Sequence, residues 1–245
     1  MPPTTKALVL IDAVNWSDLH PAEHPLRNVG RWFRRWLPEN DSLRIEVLTP
    51  NEHQPVTLPT WTDAVIMSGS PRDAWDDDPM NLKFGELILE CQRHSIPFLG
   101  VCYGHQLLGR MLGGNVARDP QGLELGNFTM QLTEKGQRSP LFRDFPPQFD
   151  VLQSHQDAVL SLPPGADLLA VGTQTFIQSF SVDDRLFGVQ FHPEADPDIF
   201  RFLWEPRRTA WRQRAKFDFD ERLSSLRPTP LTPRIFTNFT NYFLR

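Results

Sequence analysis

Gly100-Val101-Cys102-Tyr103-Gly104-His105-Gln106 is the stretch on which the fold turns. It follows Pro97-Phe98-Leu99, so an apolar run passes straight into a G-x-C-x-G turn. A helical pattern from about Gly104 to Leu112 comes next. This is the nucleophile-elbow spacing with cysteine where serine is usual. The two glycines permit a strand-to-helix turn too tight for a Cβ. The pattern places the Cys102 thiol at the C-terminal edge of a sheet, beside a helix N-terminus whose partial positive charge suits a thiolate. The bland alternative is a buried cysteine that happens to lie between glycines.

Upstream, apolar runs alternate with helical patterns. Lys6–Ile11, Arg44–Leu48 and Asp63–Met67 read as strands, and Leu26–Leu37 as one helix ended by Pro38. In Met80–His94, the residues Met80, Phe84, Leu87, Ile88 and Cys91 recur on one helical face. Such alternation predicts a parallel sheet covered on both faces. Downstream, Phe128–Leu132, Phe149–Gln153, Leu168–Val171, Phe176–Ser181 and Leu186–Gln190 are short runs separated by turn residues such as Pro163-Pro164-Gly165 and Asp183-Asp184. They predict a meander or a small extra antiparallel sheet. The chain closes on Ile235, Phe239, Tyr242 and Phe243, spaced for a final amphipathic helix. The expected architecture is α/β in three layers: a mostly parallel central sheet, helices on both faces and a small antiparallel addition. With no internal repeat and no Gly/Ser linker, residues 1–245 are expected to form one domain. Its core would span about 6–197 and its closing helix 232–245, with an extra helical segment at about 198–230.

Composition limits the function classes. The 245 residues are 40% hydrophobic and 22% charged, enough to bury a core. A net charge of −5 argues against a chain-wide nucleic-acid surface. No apolar run approaches the roughly 20 residues of a membrane span, and the first residues lack the pattern of a secretory signal. The two cysteines, Cys91 and Cys102, cannot build a disulfide framework or a four-thiolate zinc site. A reducing, cytoplasmic setting is expected, with no metal and no cofactor.

A cysteine nucleophile needs a base. Gly188-Val189-Gln190-Phe191-His192-Pro193-Glu194 supplies one. His192 ends an apolar strand run, and in extended backbone positions i and i+2 point to the same side. Glu194 can then hold one imidazole nitrogen while the other serves Cys102, which is triad logic.

The two segments together resemble the class I, triad-type glutamine amidotransferases, in particular the glutaminase domain of GMP synthase and its stand-alone relatives. Met67-Ser68-Gly69-Ser70-Pro71 is similar to that family's S-G-G-P loop, and Ser154-His155-Gln156-Asp157 to its S-H-x-D segment. The matches fall in the family's order across about residues 6–197. The resemblance implies the flavodoxin-like fold of these enzymes. It also implies that Cys102 attacks the carboxamide of glutamine, His192 moves protons and Glu194 holds His192. Backbone N–H groups of Tyr103 and Ser70 would meet the oxyanion, with Gly69, Gln106, Ser154 and His155 in the substrate pocket. Ser70 departs from the glycine usual there; a backbone donor survives the change.

Other residues have plainer readings. His105 and His155 read as scaffold or pocket-wall histidines rather than as the base. Cys91 reads as core, and Asp73 with Asp76-Asp77-Asp78 as a solvated loop capping the next helix rather than a metal site. Arg201, Arg207, Arg208, Arg212, Arg214 and Lys216, set among Trp204 and Trp211, read as a surface helix with snorkelling arginines rather than a phosphate, nucleic-acid or partner site. The chain has no S-G-G-x-D-S or G-x-x-x-x-G-K-[ST] phosphate loop. The resemblance therefore implies a glutaminase that releases ammonia to an acceptor-binding synthase on another chain. The alternatives are a self-sufficient γ-glutamyl peptidase or hydrolase, whose pocket the Gly69-Ser70-Pro71 turn and segment 198–230 would shape, and a non-catalytic regulator on the same scaffold.

Overall fold

The structure is a computed structural model that describes residues 5–14, 16, 20–38, 42–51, 53 and 56–244. The first four residues, part of the stretch read above for a secretory signal, lie outside it. In chain order the elements are β1 (Lys6–Ile11), α1 (Val29–Arg34), β2 (Leu43–Leu48), β3 (Ala64–Met67), α2 (Pro79–Arg93), β4 (Phe98–Val101) and α3 (Tyr103–Met111). Then come β5 (Asn115–Arg118), β6 (Glu124–Leu132), α4 (Glu134–Arg138), β7 (Gln148–His155), β8 (Asp157–Ser161), β9 (Asp167–Val171), β10 (Ile177–Val182) and β11 (Leu186–Val189). Four helices close the chain: α5 (Pro197–Trp204), α6 (Arg208–Arg214), α7 (Phe219–Ser224) and α8 (Arg234–Phe243).

The main sheet runs β2-β1-β3-β4-β11-β10-β9-β6-β7. Its first five strands pair in parallel. The remaining neighbours are antiparallel and continue the same sheet, with β9 through β11 as the expected meander. The β10–β11 turn uses Asp183 and Asp184 at φ 54° and 47°, conformations that Asp tolerates better than most residues. A separate two-stranded sheet pairs β5 with β8.

Side-chain alternation along β1 explains the layering. Leu8 and Leu10 point into one core with Trp32 and Phe33 of α1 and Ile235, Phe236 and Phe239 of α8. Val9 and Ile11 point into the other with Phe84, Leu87, Ile88 and Cys91 of α2 and Leu107 and Leu108 of α3. A strand that is apolar on both faces forces helices onto both sides.

One expected element is divided. Over 26–37 the structure has a short 3-10 turn at Pro25–Arg27 and then α1. Asn28 adopts extended backbone and its side chain accepts from the Arg31 N–H, so it caps α1 and breaks the run. At α2 the sequence reading of the aspartates holds. Asp78 accepts from the Met80 N–H at 2.7 Å, and the Asn81 amide ties back to the carbonyls of Asp73 and Asp76.

Candidate active site

Three loops meet at the C-terminal ends of β3, β4 and β11, where sheets of this kind place their sites. Cys102 lies between β4 and α3 with φ 50° and ψ −100°, an uncommon conformation for a residue with a side chain. The surroundings enforce it. A Cβ on Gly100 would come within 2.4 Å of the Gly104 carbonyl, and one on Gly104 within 2.9 Å of the Met67 carbonyl. Both flanking glycines are required by close backbone approach. The Cys102 N–H donates to the Val189 carbonyl at 2.8 Å, tying the elbow to β11.

His192 lies three residues past β11. Its Nδ1 is 2.7 Å from Glu194 Oε1, and both side chains are buried. Its Nε2 has no hydrogen-bond partner among the described residues. Gly69 fits between the two key side chains: a Cβ there would lie 3.0 Å from His192 Cε1 and 3.5 Å from Cys102 Cβ. Burial works against a charge on His192, but the Glu194 carboxylate and then the Cys102 sulfur outweigh it and hold its pKa well above the usual 6.5. The backbone beyond is pinned. Arg35 donates to the Glu194 carbonyl at 2.7 Å and to Asp196 at 2.6 Å.

Cys102, His192 and Glu194 border one cavity of about 300 Å³, together with Gly69, Ser70, Gln106, Ser154 and His155. Among the described residues, the Ser70 and Tyr103 N–H groups have no backbone or side-chain acceptor. The Tyr103 phenol points away, into the α2–α3 core, where it donates to Asn81 at 2.6 Å. Gln106 borders the cavity, and its amide nitrogen donates to the Asp157 carbonyl at 2.6 Å and to Gln190 at 3.1 Å. Ser154 presents its carbonyl 3.9 Å from the Cys102 sulfur, while its hydroxyl accepts from Trp204 Nε1 at 2.9 Å.

Two histidines are clarified. His105 is fully buried against Phe180, and burial lowers its pKa to about 3, with the nearby His155 adding to the shift. It is a neutral packing group. His155 has a close carboxylate from a distant part of the chain: Glu124 of β6 lies 2.7 Å from its Nε2. Its Nδ1 is 3.0 Å from the Asp157 carbonyl, so both ring nitrogens are occupied and the ring is a cavity wall. The sequence carries no signal for this pair, because Glu124 lies 31 positions away and meets His155 only through β6–β7 register. Cys91 is buried on α2, where burial pushes its thiol up to about 12.

The segment after α5 departs from the plain surface-helix reading. Arg208 and Arg212 pair with Asp220 on the outside. Arg207, half-buried, and Arg214, exposed, border the cavity with Leu203 and Trp211.

An α/β fold with a cysteine elbow, a histidine–glutamate pair at the end of a neighbouring strand and a shared cavity defines a class of cysteine-elbow proteins. The glutamine amidotransferase class-I family profile matches residues 38–201, and the chain belongs to that family. It is 34% identical over 139 residues to gamma-glutamyl peptidase 4 of Arabidopsis thaliana, covering 56% of this chain and 55% of that one. It is 38% identical over 135 residues to a GMP synthase [glutamine-hydrolyzing] of Thermus thermophilus, covering 54% of this chain and 24% of that one. The match thus covers about half of the peptidase and a quarter of the synthase. The fold is shared with a glutamine amidotransferase from Thermotoga maritima, at TM-score 0.74 and 21% identity over 98% of this chain and 99% of that one. A glutamine amidotransferase from Methylobacillus flagellatus gives TM-score 0.73 at 19% identity, covering 99% and 96%. These relatives are hydrolytic by name.

Proposed function

We propose that the chain hydrolyses γ-glutamyl amides at Cys102 through a γ-glutamyl thioester. The observation that carries the reading is the pairing of the strained Cys102 elbow with a His192 that Glu194 holds by Nδ1, leaving Nε2 for the cavity. The Cys102 thiolate attacks the γ-carbonyl, and the oxyanion is met by the Ser70 and Tyr103 N–H groups. The C–N bond breaks as protonated His192 gives its Nε2 proton to the departing amine. Water then loses a proton to the same nitrogen and adds to the thioester. The C–S bond breaks, glutamate leaves, and thiolate and imidazolium are restored. Glu194 orients the ring and stabilises its charge throughout.

Glutamine is the smallest substrate of this class. Likeness to GMP synthase supports a second reading, in which released ammonia passes to a separate synthase. The cavity favours the first. At about 300 Å³ it reaches the size range of sites for ligands larger than one amide side chain (~300–1,000 Å³). The test is release of ammonia from glutamine and of amines from a γ-glutamyl peptide panel, with Cys102→Ala as control. Cys102-dependent release without any added protein is expected. A panel cleaved equally well by Cys102→Ala, or not cleaved at all, overturns the proposal.

A further inference from the structure

We infer that Arg207 and Arg214 form a carboxylate subsite at the cavity, so that the favoured ligand is a γ-glutamyl amino acid or peptide whose departing amine carries a carboxylate. The inference rests on the amide-hydrolysis reading for which bond is cut, and on separate residues for what is recognised.

Helical spacing sorts the arginines of this segment. Arg207, Trp211 and Arg214 follow one another at steps of four and three from the N-cap to the end of α6, so they share one face, and with Leu203 of α5 they line the cavity. Arg208 and Arg212 fall on the other face and are paired with Asp220 there; Arg208 also meets Glu205. Arg201 pairs with Asp198. The two guanidinium groups at the cavity differ in exposure and in partners: Arg207 is half-buried and Arg214 is exposed. Arg207 donates to the Leu203 carbonyl at 2.6 Å and approaches His20 Nε2 at 3.3 Å. Arg214 donates to Gln156 Oε1. Among the described residues neither has a carboxylate partner.

Arg207 is half-buried and packs over Trp211, its Cζ 5.8 Å from the ring centroid. A charge held partly out of water with only neutral partners is costly, and a bound anion would offset that cost. The guanidinium fork is suited to a carboxylate. Two further observations tie the pair to the catalytic cavity. Trp204, one turn before Arg207, donates to the Ser154 hydroxyl, and the Ser154 carbonyl is the group 3.9 Å from the Cys102 sulfur. Both arginines also border the same cavity as Cys102, His192 and Glu194. Releasing ammonia from glutamine gives such a cationic wall nothing to hold on the leaving side. Releasing an amino acid does.

The test changes the ligand before it changes the protein. Binding of γ-glutamylglycine and of γ-glutamylglycinamide to Cys102→Ala protein is measured by calorimetry, which needs no turnover. The acid is expected to bind about tenfold or more tightly than the amide. Adding Arg214→Met is expected to collapse that preference to about threefold or less. Equal binding of the two ligands overturns the inference, as does a preference that survives Arg214→Met. Equal weakening of both by Arg214→Met also overturns it and moves the arginine to the glutamyl carboxylate. Carboxylate-dependent binding without turnover by the unmodified enzyme keeps the subsite and removes the hydrolytic reading. Turnover with no preference for the acid does the reverse.

Discussion

Replacing Glu194 by Gln keeps the shape of the His192 contact and removes its charge. The pair is 2.7 Å apart and both side chains are buried, so water screens it poorly. A hydrogen bond between charged, enclosed partners is worth roughly 1.5–3 kcal/mol and the neutral bond that the Gln carbonyl still accepts from Nδ1 roughly half that, so about 1–2 kcal/mol of imidazolium stabilisation is lost. If that loss falls fully on the thiolate–imidazolium pair that begins the reaction, kcat/KM falls by about 5- to 30-fold. The pH profile should move as well. His192 is held well above 6.5, against burial, by Glu194 and by the Cys102 sulfur. A raised pKa keeps the imidazolium present through neutral pH, and activity fades as pH climbs through that raised value. Glu194→Gln lowers it, so the alkaline limb of kcat/KM moves to lower pH. The assay is amine release from a γ-glutamyl peptide across pH 5 to 10, with urea unfolding of both proteins to separate activity from folding. A Glu194→Gln enzyme within about threefold of the parent, with its alkaline limb in place, refutes this reasoning.

Two further substitutions test neighbouring parts of the site. Gly69→Ala places a Cβ 3.0 Å from His192 Cε1, so the ring must shift by a few tenths of an ångström; kcat/KM should drop about 10- to 100-fold while the urea midpoint changes little, and an unaffected rate would show that the ring position is not critical. Asp12 is buried, and burial raises its pKa from 3.8 to about 6 against the opposing Val14 N–H hydrogen bond. A carboxyl whose pKa is raised by folding costs no stability below about 3.8, an increasing amount up to about 6 and a constant amount above, at most about 3 kcal/mol. Asp12→Asn retains the Val14 acceptor, so it should stabilise the protein at pH 8 and leave it unchanged near pH 4; an equal effect at both pH values contradicts this.

The elbow was legible because its signal is local. Gly100, Cys102 and Gly104 sit within five positions, and the backbone approaches that require the glycines involve the same turn and its neighbour Met67. His192 and Glu194 were legible for the same reason, being two residues apart at a strand end. What escaped was carried by register and by packing between distant segments. The Glu124–His155 pair exists only because β6 and β7 align. Strand β5 has only Val116 and Ala117 between polar ends, too short a run to stand out. The placing of Arg207 and Arg214 beside the cavity depends on where α6 docks. Spacing alone can group them on one face, but not say which face meets the cavity. The break at Asn28 is a case where a capping side chain overrides an apolar period.

Intact-mass measurement of enzyme acid-quenched during turnover of a γ-glutamyl peptide tests the central claim most directly. The account predicts a mass gain of one glutamyl group, mapped to Cys102 and absent from Cys102→Ala. An enzyme that turns over with no adduct at any quench time, and that keeps its rate when Cys102 is replaced by Ala, would contradict it.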